Sequence, residues 1–387
     1  MCSSTLERRE PRSLMSSSSC EQWIVRPGAR SWRCGPAIHD AFVFYAGLPG
    51  YAPTRLIEAP ALDAELGVGR VFVKDESARL GLPAFKILGV SWAVYRAIAA
   101  RSHEEITPTI EGIRAAIADL APIELVTATD GNHGRALARM ATLIVATAHV
   151  FVPESLPTPV IAAIVSEGAA VTRVDGSYDA AVRLAADYTE ASPDRMLIQD
   201  TAWLGYEEVP SWTVEGYSTL FQEADVQLRD AGVTSIGLVA VPTGVGSLLQ
   251  SALAHYRGNG LIPAPSVLSV EPESAACVLA SVRNGALTSI LTSATIMAGL
   301  NCGLPSSLAW PFIEQGLDAA VAVSDDEARR AMNDLHRLGI AAGPCGAASL
   351  AGVRTLLSEP DRRAAFGIDA RSVLLLISTE GIASGAA

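Results

Sequence analysis

Lysine is scarce in this chain, and its two lysines lie close together in the sequence. Of the 29 basic residues only Lys74 and Lys86 are lysines. A lysine amine can lose its proton and attack a carbonyl carbon, whereas an arginine guanidinium stays protonated. Phe85 precedes Lys86 at the predicted start of a helix, where an apolar neighbour would desolvate the amine and lower its pKa. Lys86 is therefore the candidate nucleophile; the alternative is a solvated lysine on a first helical turn. Lys74, followed by Asp75 and Glu76, is interpreted as part of a salt-bridged structural turn.

A polar segment at 127–135 lies between a predicted strand and a predicted helix. Asp130 could transfer a proton to or from a substrate, and Asn132 could bind a hydroxyl group of a cofactor. The alternative is that one of them only caps the helix. We interpret His133 as a packed residue behind the site. The crowding of Asp130, Asn132 and His133 with two glycines into five residues favours a functional interpretation.

Two further segments could bind a ligand, although each is weak evidence alone. The sequence Val-Pro-Thr-Gly-Val-Gly-Ser at 241–247 follows a predicted strand, and its backbone N–H groups could converge on an anion. An ordinary tight turn is the favoured interpretation of that segment taken alone, because it is neither a Walker loop nor a full dinucleotide fingerprint. Hydroxyl groups at the end of the predicted strand 375–377 could meet a ring nitrogen, or could bond to a nearby loop.

Short apolar runs that alternate with helical stretches must position these residues. This alternation predicts βαβ units and a parallel sheet covered on both faces, that is, an α/β fold. The predicted strands are 71–73, 125–129, 147–152, 170–174, 236–241, 267–270 and 373–377, and the main predicted helices are 87–100, 159–167, 178–186 and those that follow 134 and 247.

Composition narrows the possible classes of function. The net charge of −12 argues against general affinity for nucleic acid or anionic membranes. No apolar run is long enough to span a bilayer, and the first 35 residues, which lack the apolar core of a signal peptide, are expected to form a flexible tail. Six cysteines without a Cys-x-x-Cys pair suit a reducing cytoplasm, and Cys277 and Cys302 are expected to be free thiols. No metal site is predicted.

Taken together, these segments resemble the fold-type II pyridoxal-phosphate enzymes, and most closely the diaminopropionate ammonia-lyases. The resemblance extends from residue 48 to about residue 381, and its ordered matches are far more specific than any one motif. The matching segments are 48–54, 74–77, 84–86, 127–135, 199–203, 295–300 and 378–381.

The resemblance implies a role for each matching position. Lys86 would hold the aldehyde of pyridoxal 5'-phosphate next to Phe85, and Asn132 would contact its 3-hydroxyl group. Ser378, or failing that Thr379, would meet the pyridine nitrogen. The positions implied to contact the phosphate are Gly244, Val245, Gly246 and Ser247, and those implied to face the substrate are Asp130, Asp200, Thr129, Ala298 and Gly299.

The resemblance also implies an architecture and a reaction. We expect a large cofactor-binding domain over 36–89 and 205–387, a smaller α/β domain over 90–204, and a homodimer. The implied reaction is elimination of ammonia from 2,3-diaminopropionate, in which Lys86 takes the α-proton. Asp130 or Asp200, with a pKa raised by burial near the other carboxylate, keeps the leaving amine protonated. Asp130 would instead serve as the base for a substrate of opposite α-configuration.

Other functions stay open at this point. The nearest alternative is β-elimination or β-replacement on serine, threonine or another β-substituted alanine by the same cofactor. A non-catalytic cofactor-binding regulatory protein and, more remotely, a nicotinamide oxidoreductase are the others. The chain departs from the family at Pro344 and Cys345, where Glu-Ser is common, at Ile382, where Asp is common, and at Arg55, where Pro is common. These departures bear on the substrate more than on the cofactor.

Overall fold

The computed structural model of the chain describes residues 22–35, 41–102, 104–119, 122–258 and 263–382. Within these ranges the strands form one sheet of seven strands and one of four. The strands are β1 (Trp23–Val25), β2 (Leu56–Glu58), β3 (Arg70–Asp75), β4 (Glu124–Ala128), β5 (Thr147–Pro153), β6 (Ala170–Val174), β7 (Arg195–Leu197), β8 (Leu238–Pro242), β9 (Ser266–Pro272), β10 (Ala319–Val323) and β11 (Val373–Ser378).

The helices differ widely in length, and the longest, α8, has 23 residues. They are α1 (Ala41–Ala46), α2 (Pro60–Leu66), α3 (Ile87–Arg101), α4 (Ile110–Asp119), α5 (Asn132–Ile144), α6 (Thr158–Ser166), α7 (Tyr178–Glu190), α8 (Glu208–Asp230), α9 (Ser247–Gly258), α10 (Cys277–Asn284), α11 (Trp310–Gly316), α12 (Asp325–Arg337), α13 (Pro344–Leu357) and α14 (Pro360–Ala365). Short 3-10 helices cover Pro27–Ser31, Glu273–Ala275 and Ala298–Leu300. Among the described helices, none combines the length and the apolar character that crossing a membrane requires.

The seven-stranded sheet has the order β1-β10-β9-β8-β11-β3-β2. Its five inner strands run parallel, and strands β8, β9 and β10 are buried along their whole length. Strands that are buried along their whole length and rich in apolar residues are typical of parallel sheets covered on both faces. One face of the sheet packs against α13 and forms an apolar cluster with it. The apolar side chains on the opposite face belong to a second cluster, which includes residues of α3, α8 and α9.

The predicted parallel sheet is confirmed for the five inner strands, and two edge strands that were not predicted complete it. Strand β1 pairs with β10 and strand β2 pairs with β3, and both pairs are antiparallel. Each edge strand has only three residues and is not fully buried, so neither carries the apolar run that marks an inner strand. The sheet is therefore mixed.

The four-stranded sheet has the order β6-β5-β4-β7, and all its pairs are parallel. Helices α5 and α7 pack against it, and α5 also packs on α3. Its strands lie within residues 124–197, inside the segment expected to form the smaller domain. The domain boundaries themselves stay a prediction.

Most of the predicted elements are confirmed, with ends displaced by a few residues. The predicted tail needs correction. Residues 1–21 lie outside the described residues, but 22–35 belong to the fold, because β1 is hydrogen-bonded to β10. Trp23 also lies under the guanidinium of Arg362, whose carbon is 4.8 Å from the ring centroid. Strand β1 has only three residues and follows a serine-rich segment, and so short an apolar run was not enough to predict a strand.

A buried ionic cluster anchors the loop that follows β3. Lys74 donates to Glu223 on α8 at 2.7 Å, which confirms its predicted salt bridge but places it in a strand with a distant partner. Arg79 pairs with the same Glu223 at 2.6 Å and with Glu76 at 2.7 Å. All four side chains are essentially inaccessible, so each charge depends on its partners. The cluster fixes the start of the loop that ends at Lys86.

Candidate functional site

A cavity of about 690 Å³ opens where the carboxyl ends of β4, β8 and β11 meet. In parallel α/β sheets this edge is the usual place for a ligand. The structure brings almost all the predicted site residues together here. Those that line the cavity are Phe85, Lys86, Thr129, Asp130, Asn132, Asp200, Gly244, Val245, Gly246, Ser247, Ala298, Gly299 and Thr379.

Lys86 lies immediately before α3, and its amine forms an ion pair with a carboxylate. The distance from Nζ to Oδ2 of Asp200 is 2.5 Å. The ring centroids of Phe85 and Tyr217 lie 5.3 and 5.8 Å from Nζ. Burial alone would lower the pKa of the amine, but the nearby carboxylates, first Asp200 and then Asp130, outweigh it and raise the pKa. The predicted desolvation does lower the pKa, but the net shift is upward, because the pairing with Asp200 was not predicted.

The two aspartates of the cavity have opposite electrostatic surroundings. Burial raises the pKa of Asp130 to about 6, and the positive charge of Lys86 only partly opposes this rise. For Asp200 burial acts in the same direction, but Lys86 and His133 outweigh it and bring the pKa to about 2. A pair of like groups whose pKa values are driven apart can divide the work of an acid and a base. The prediction of a raised pKa thus holds for Asp130 alone.

His133 lies behind Asp200. Its Nε2 atom is 2.8 Å from the carbonyl oxygen of Ile198, and its Nδ1 atom is 3.5 Å from Oδ2 of Asp200. Burial lowers the pKa of the imidazole, and the nearby Asp200 carboxylate only partly offsets this. The Nε2–H group donates to the carbonyl oxygen, whereas Nδ1 has no hydrogen-bond partner among the described residues. The packed role predicted for His133 agrees with its 4% exposure.

The loop between β8 and α9 forms a cradle of backbone N–H groups. Gly246 has a φ of +96°, a backbone conformation that residues with a side chain rarely adopt. A Cβ atom on Gly244 would lie 3.1 Å from both Cys302 Sγ and the Gly299 oxygen, so a larger residue would be crowded there. Helix α9 begins directly after the loop and presents its free N–H groups there. The Ser247 hydroxyl donates to the backbone oxygen of Asp200 at 2.7 Å, which connects the cradle to the carboxylate beside the amine.

Two buried hydroxyl groups at the end of β11 have no hydrogen-bond partner among the described residues. They belong to Ser378 and Thr379. Thr379 lines the cavity, whereas Ser378 lies in the adjacent layer, where a Cβ on Gly346 would come within 2.8 Å of its hydroxyl. A buried hydroxyl without a partner is costly, so these groups are suited to meeting a polar ligand atom.

Glu380 is a site residue that the analysis of the sequence did not single out, although it belongs to the matching segment 378–381. Its Oε2 atom accepts a hydrogen bond from Asn132 Nδ2 at 2.6 Å. Burial raises the pKa of its carboxyl group. Tyr178 was also missed: its hydroxyl accepts from Gln199 Nε2 at 2.7 Å and its side chain lines the cavity. Nothing in the sequence around Tyr178 distinguishes it from an ordinary first residue of a helix.

The departures from the family pattern have different surroundings. Pro344, Cys345 and Ile382 all line the cavity, so the substitutions face a ligand. Arg55 instead pairs with Asp75 at 2.7 Å, immediately before the first residue of β2. The described cysteines, which include Cys277 and Cys302, are free, as expected.

The comparisons with known proteins agree with this geometry. A family model described as pyridoxal-phosphate dependent enzyme matches residues 48–378. A diaminopropionate ammonia-lyase from Salmonella typhimurium is 34% identical over 365 residues, which cover 89% of this chain and 88% of the relative. A crystal structure of diaminopropionate ammonia-lyase from Escherichia coli in complex with D-serine superimposes with a TM-score of 0.82 at 30% identity, covering 89% of this chain and 88% of that one. A second structure of that enzyme, in complex with an aminoacrylate-PLP azomethine reaction intermediate, has a TM-score of 0.79 at 31% identity with the same coverage. These likenesses confirm the predicted α/β fold of the fold-type II enzymes.

Proposed function

Because the chain belongs to the pyridoxal-phosphate-dependent enzymes, and among them to the diaminopropionate ammonia-lyases, we propose that it eliminates ammonia from 2,3-diaminopropionate. The products are pyruvate and ammonia, which carries both nitrogens of the substrate. The observation that carries the proposal is the pair of carboxylates in the cavity, the half-buried Asp130 and the buried Asp200, beside the amine of Lys86. Asp200 pairs with the Lys86 amine, and Asp130 is then the carboxylate that can meet the β-ammonium of a diamino acid.

The residues of the cavity fit pyridoxal 5'-phosphate. The Lys86 amine suits its aldehyde, the N–H groups of the loop 244–247 suit its phosphate, and Asn132 suits its 3-oxygen. A hydroxyl of Ser378 or Thr379, neither of which has a hydrogen-bond partner in the described part of the chain, suits the ring nitrogen. When bound, the cofactor supplies an electron-withdrawing ring that stabilises negative charge at the substrate α-carbon.

Lys86 is proposed to move the α-proton. Its amine lies among Phe85, Tyr217 and Asp200, within a largely buried site. The ion pair with Asp200 keeps Nζ inside the cavity, where it can face the α-carbon of a bound amino acid. Once Nζ is uncharged it can accept the α-proton, and Asp200 then stabilises the resulting ammonium.

Asp130 is proposed to hold the leaving amine. With a pKa of about 6, it is ionised at neutral pH and can pair with the β-ammonium of the substrate. This pairing keeps the leaving nitrogen protonated, so that it departs as neutral ammonia rather than as an amide anion. Thr129, Ala298 and Gly299 line the same cavity and are proposed to contact the rest of the substrate.

The experiment that tests the proposal compares substrates on one enzyme preparation. We expect the 2-oxo acid product to form from 2,3-diaminopropionate at least about tenfold faster, in kcat/KM, than from serine, cysteine or threonine; the product is pyruvate in each case except threonine, which would give 2-oxobutyrate. Faster or equal release from serine would favour the alternative of β-elimination from hydroxy amino acids. The visible absorption of the purified protein tests the cofactor separately, and we expect Lys86→Ala to remove the band of the lysine-bound cofactor. A band that persists in this variant would contradict the role of Lys86.

A homodimer in the cytoplasm is the remaining part of the proposal. The dimer is supported by an apolar surface on the segment 285–306, where Leu287, Leu291 and Leu304 are 38%, 98% and 47% exposed. Exposed leucines that cluster in this way are typical of protein–protein contacts. The cytoplasm is supported by the free thiols of the described cysteines.

A further inference from the structure

We propose that Glu380 is a positioning residue that fixes the orientation of the Asn132 amide, so that its nitrogen donates to the 3-oxygen of the cofactor. The inference rests on the proposed function, because it takes Asn132 to be the partner of that oxygen. It adds to the proposed site a residue, Glu380, and a hydrogen bond that would orient Asn132. The two side chains are joined by the bond from Asn132 Nδ2 to Glu380 Oε2, which is 2.6 Å long.

The choice of orientation follows from hydrogen-bond chemistry. An ionised carboxylate has only acceptor atoms, whereas an amide group has a donor side and an acceptor side. Glu380 therefore attracts the NH₂ side of Asn132 and repels the oxygen side. The same nitrogen carries a second hydrogen, which its planar geometry directs away from Glu380. This second N–H is then free to donate to an oxygen in the cavity that Asn132 lines.

Glu380 is itself held firmly, so it can determine the position of its neighbour. Its other carboxylate oxygen, Oε1, accepts from the backbone N–H of Cys345 at 3.3 Å. That N–H is the first one available in α13, because the helix begins with Pro344. The Glu380 backbone oxygen accepts from Gly343 N at 2.8 Å, and residue 380 also forms a β-bridge with Ala84, two residues before Lys86.

The N-terminus of α13 favours the ionised form of Glu380, because the helix dipole places partial positive charge there. The carboxylate thus joins the start of α13 to the first residue of α5, and the backbone of residue 380 joins both to the loop before Lys86. These three elements enclose the cavity from different sides. One acceptor-only group at their junction gives Asn132 a single favourable orientation.

Glu380→Gln is the sharpest test. The N–H of Cys345 continues to require an acceptor, so the Gln oxygen should turn toward it and the Gln NH₂ should face Asn132. The Asn132 amide should then turn over and present its oxygen to the cavity, which removes the donor. We expect the Kd of the apoenzyme for pyridoxal phosphate to rise by about tenfold, as for the loss of one hydrogen bond to a charged group.

A double-mutant cycle separates positioning from general damage to the fold. Glu380→Gln should weaken cofactor binding in the otherwise unchanged protein and should have no further effect in the presence of Asn132→Ala. An equal loss in both backgrounds, or no loss in either, would overturn the inference. A second readout is the pH titration of the visible band of the bound cofactor, which should shift by about one pH unit in Glu380→Gln and in Asn132→Ala alike.

Glu380→Asp is the matched control, because it keeps an acceptor-only group. Its Kd should stay within about threefold of that of the unchanged protein, and it keeps the inference testable if the Gln variant does not fold. A loss in Glu380→Asp as large as that in Asn132→Ala would count against orientation by charge. All these measurements use the cofactor without substrate. A protein that binds cofactor but shows no coupling refutes this inference alone, whereas cofactor binding with normal coupling but no ammonia release refutes the proposed substrate.

Discussion

At the scale of single residues, electrostatic surroundings rather than chemical type distinguish Asp130 from Asp200. Both are aspartates in one cavity, yet one has a pKa of about 6 and the other of about 2. The difference follows from distance, because Asp200 makes the direct contact with Lys86 Nζ at 2.5 Å. Asp200 is therefore occupied by the lysine ammonium, and Asp130 is the carboxylate that remains available for a substrate.

The titration of Asp130 predicts the pH dependence of the reaction. Only its ionised form attracts the β-ammonium, and that form grows as the pH rises through about 6. The kcat/KM for 2,3-diaminopropionate should therefore increase through this pH and then level off. The Asp130→Asn variant should lose this rise of kcat/KM between about pH 5 and 7. At pH 8 its kcat/KM should be lower by at least about tenfold, since the substitution leaves the β-ammonium of the substrate unpaired in the cavity. Steady-state rates from about pH 5 to 9 check this expectation.

Serine provides the control for that measurement, because it carries no β-ammonium. Asp130→Asn should affect elimination from serine much less than elimination from 2,3-diaminopropionate. Equal losses for the two substrates would show that Asp130 does not recognise the β-amine.

The role of a site residue could be predicted from the sequence where a rare residue type occurred within a specific motif. Lys86 is such a case, since it is one of only two lysines and lies in a matching segment. The direction of its pKa shift was not predictable, because its partner Asp200 is 114 residues away. Glu380 was missed for a similar reason: its partner Asn132 is 248 residues distant, and a glutamate beside two hydroxyl residues has no local signature.

At the scale of elements, the inner strands were the easiest to predict. Strands β8, β9 and β11 are rich in apolar residues and almost entirely buried, and each was expected within a few residues of its observed bounds. The edge strands β1 and β2 have three residues each and only partial burial. Their pairing depends on the strand beside them rather than on their own sequence, which is why they were missed.

A buried glutamate in β9 connects that strand to α10. The Glu271 carboxylate accepts hydrogen bonds from Val278 N at 2.7 Å and Leu279 N at 2.8 Å, at the start of the helix. Burial nevertheless raises its pKa to about 8, and the backbone hydrogen bonds only partly oppose this. In the unfolded chain the same group has an ordinary pKa near 4.5. Between these two values the folded protein binds a proton that the unfolded chain has released.

This difference predicts a fall in stability as the pH rises. The stabilising contribution is complete below about pH 4.5 and is lost as the pH approaches 8, with a slope of up to about 1.4 kcal/mol per pH unit. Glu271→Gln stays neutral and should remove this slope from the free energy of unfolding. Urea unfolding at several pH values between 5 and 8 measures it. Glu111→Gln, on the exposed side of α4, is the control and should leave the slope unchanged.

At the scale of the whole molecule, the site forms only when distant segments converge. The cavity combines residues from the ends of β4, β8 and β11 with the loop before α3, and these lie between positions 83 and 382. The sequence predicted which segments take part, because each carried a motif. It could not predict that Asp200 would face Lys86 while Asp130 stays apart, because this depends on how the two sheets pack.

Three leucines of the segment 285–306 are exposed to water in the single chain, where no contact with the described residues accounts for their apolar character. Leu291 is 98% exposed, and its neighbourhood is ordered by the bond from Ile290 N to Gly303 O at 2.8 Å. A rigid apolar surface of this kind loses its contact with water when a second copy covers it. We expect Leu291→Asp to shift the protein from dimer to monomer at micromolar concentration, because association would bury an unpaired charge.

Light scattering coupled to size-exclusion chromatography measures this shift. Leu204 provides a matched control, since it is 95% exposed but lies in the turn between Trp203 and Tyr206. Leu204→Asp should leave the molecular mass unchanged, so a loss of mass in Leu291→Asp alone would assign the interface to the segment 285–306. A dimer that persists in Leu291→Asp, or that dissociates equally in both variants, would instead place the contact elsewhere on the molecule. Because the segment includes Ala298 and Gly299, which line the cavity, the monomer should also bind cofactor and substrate less tightly.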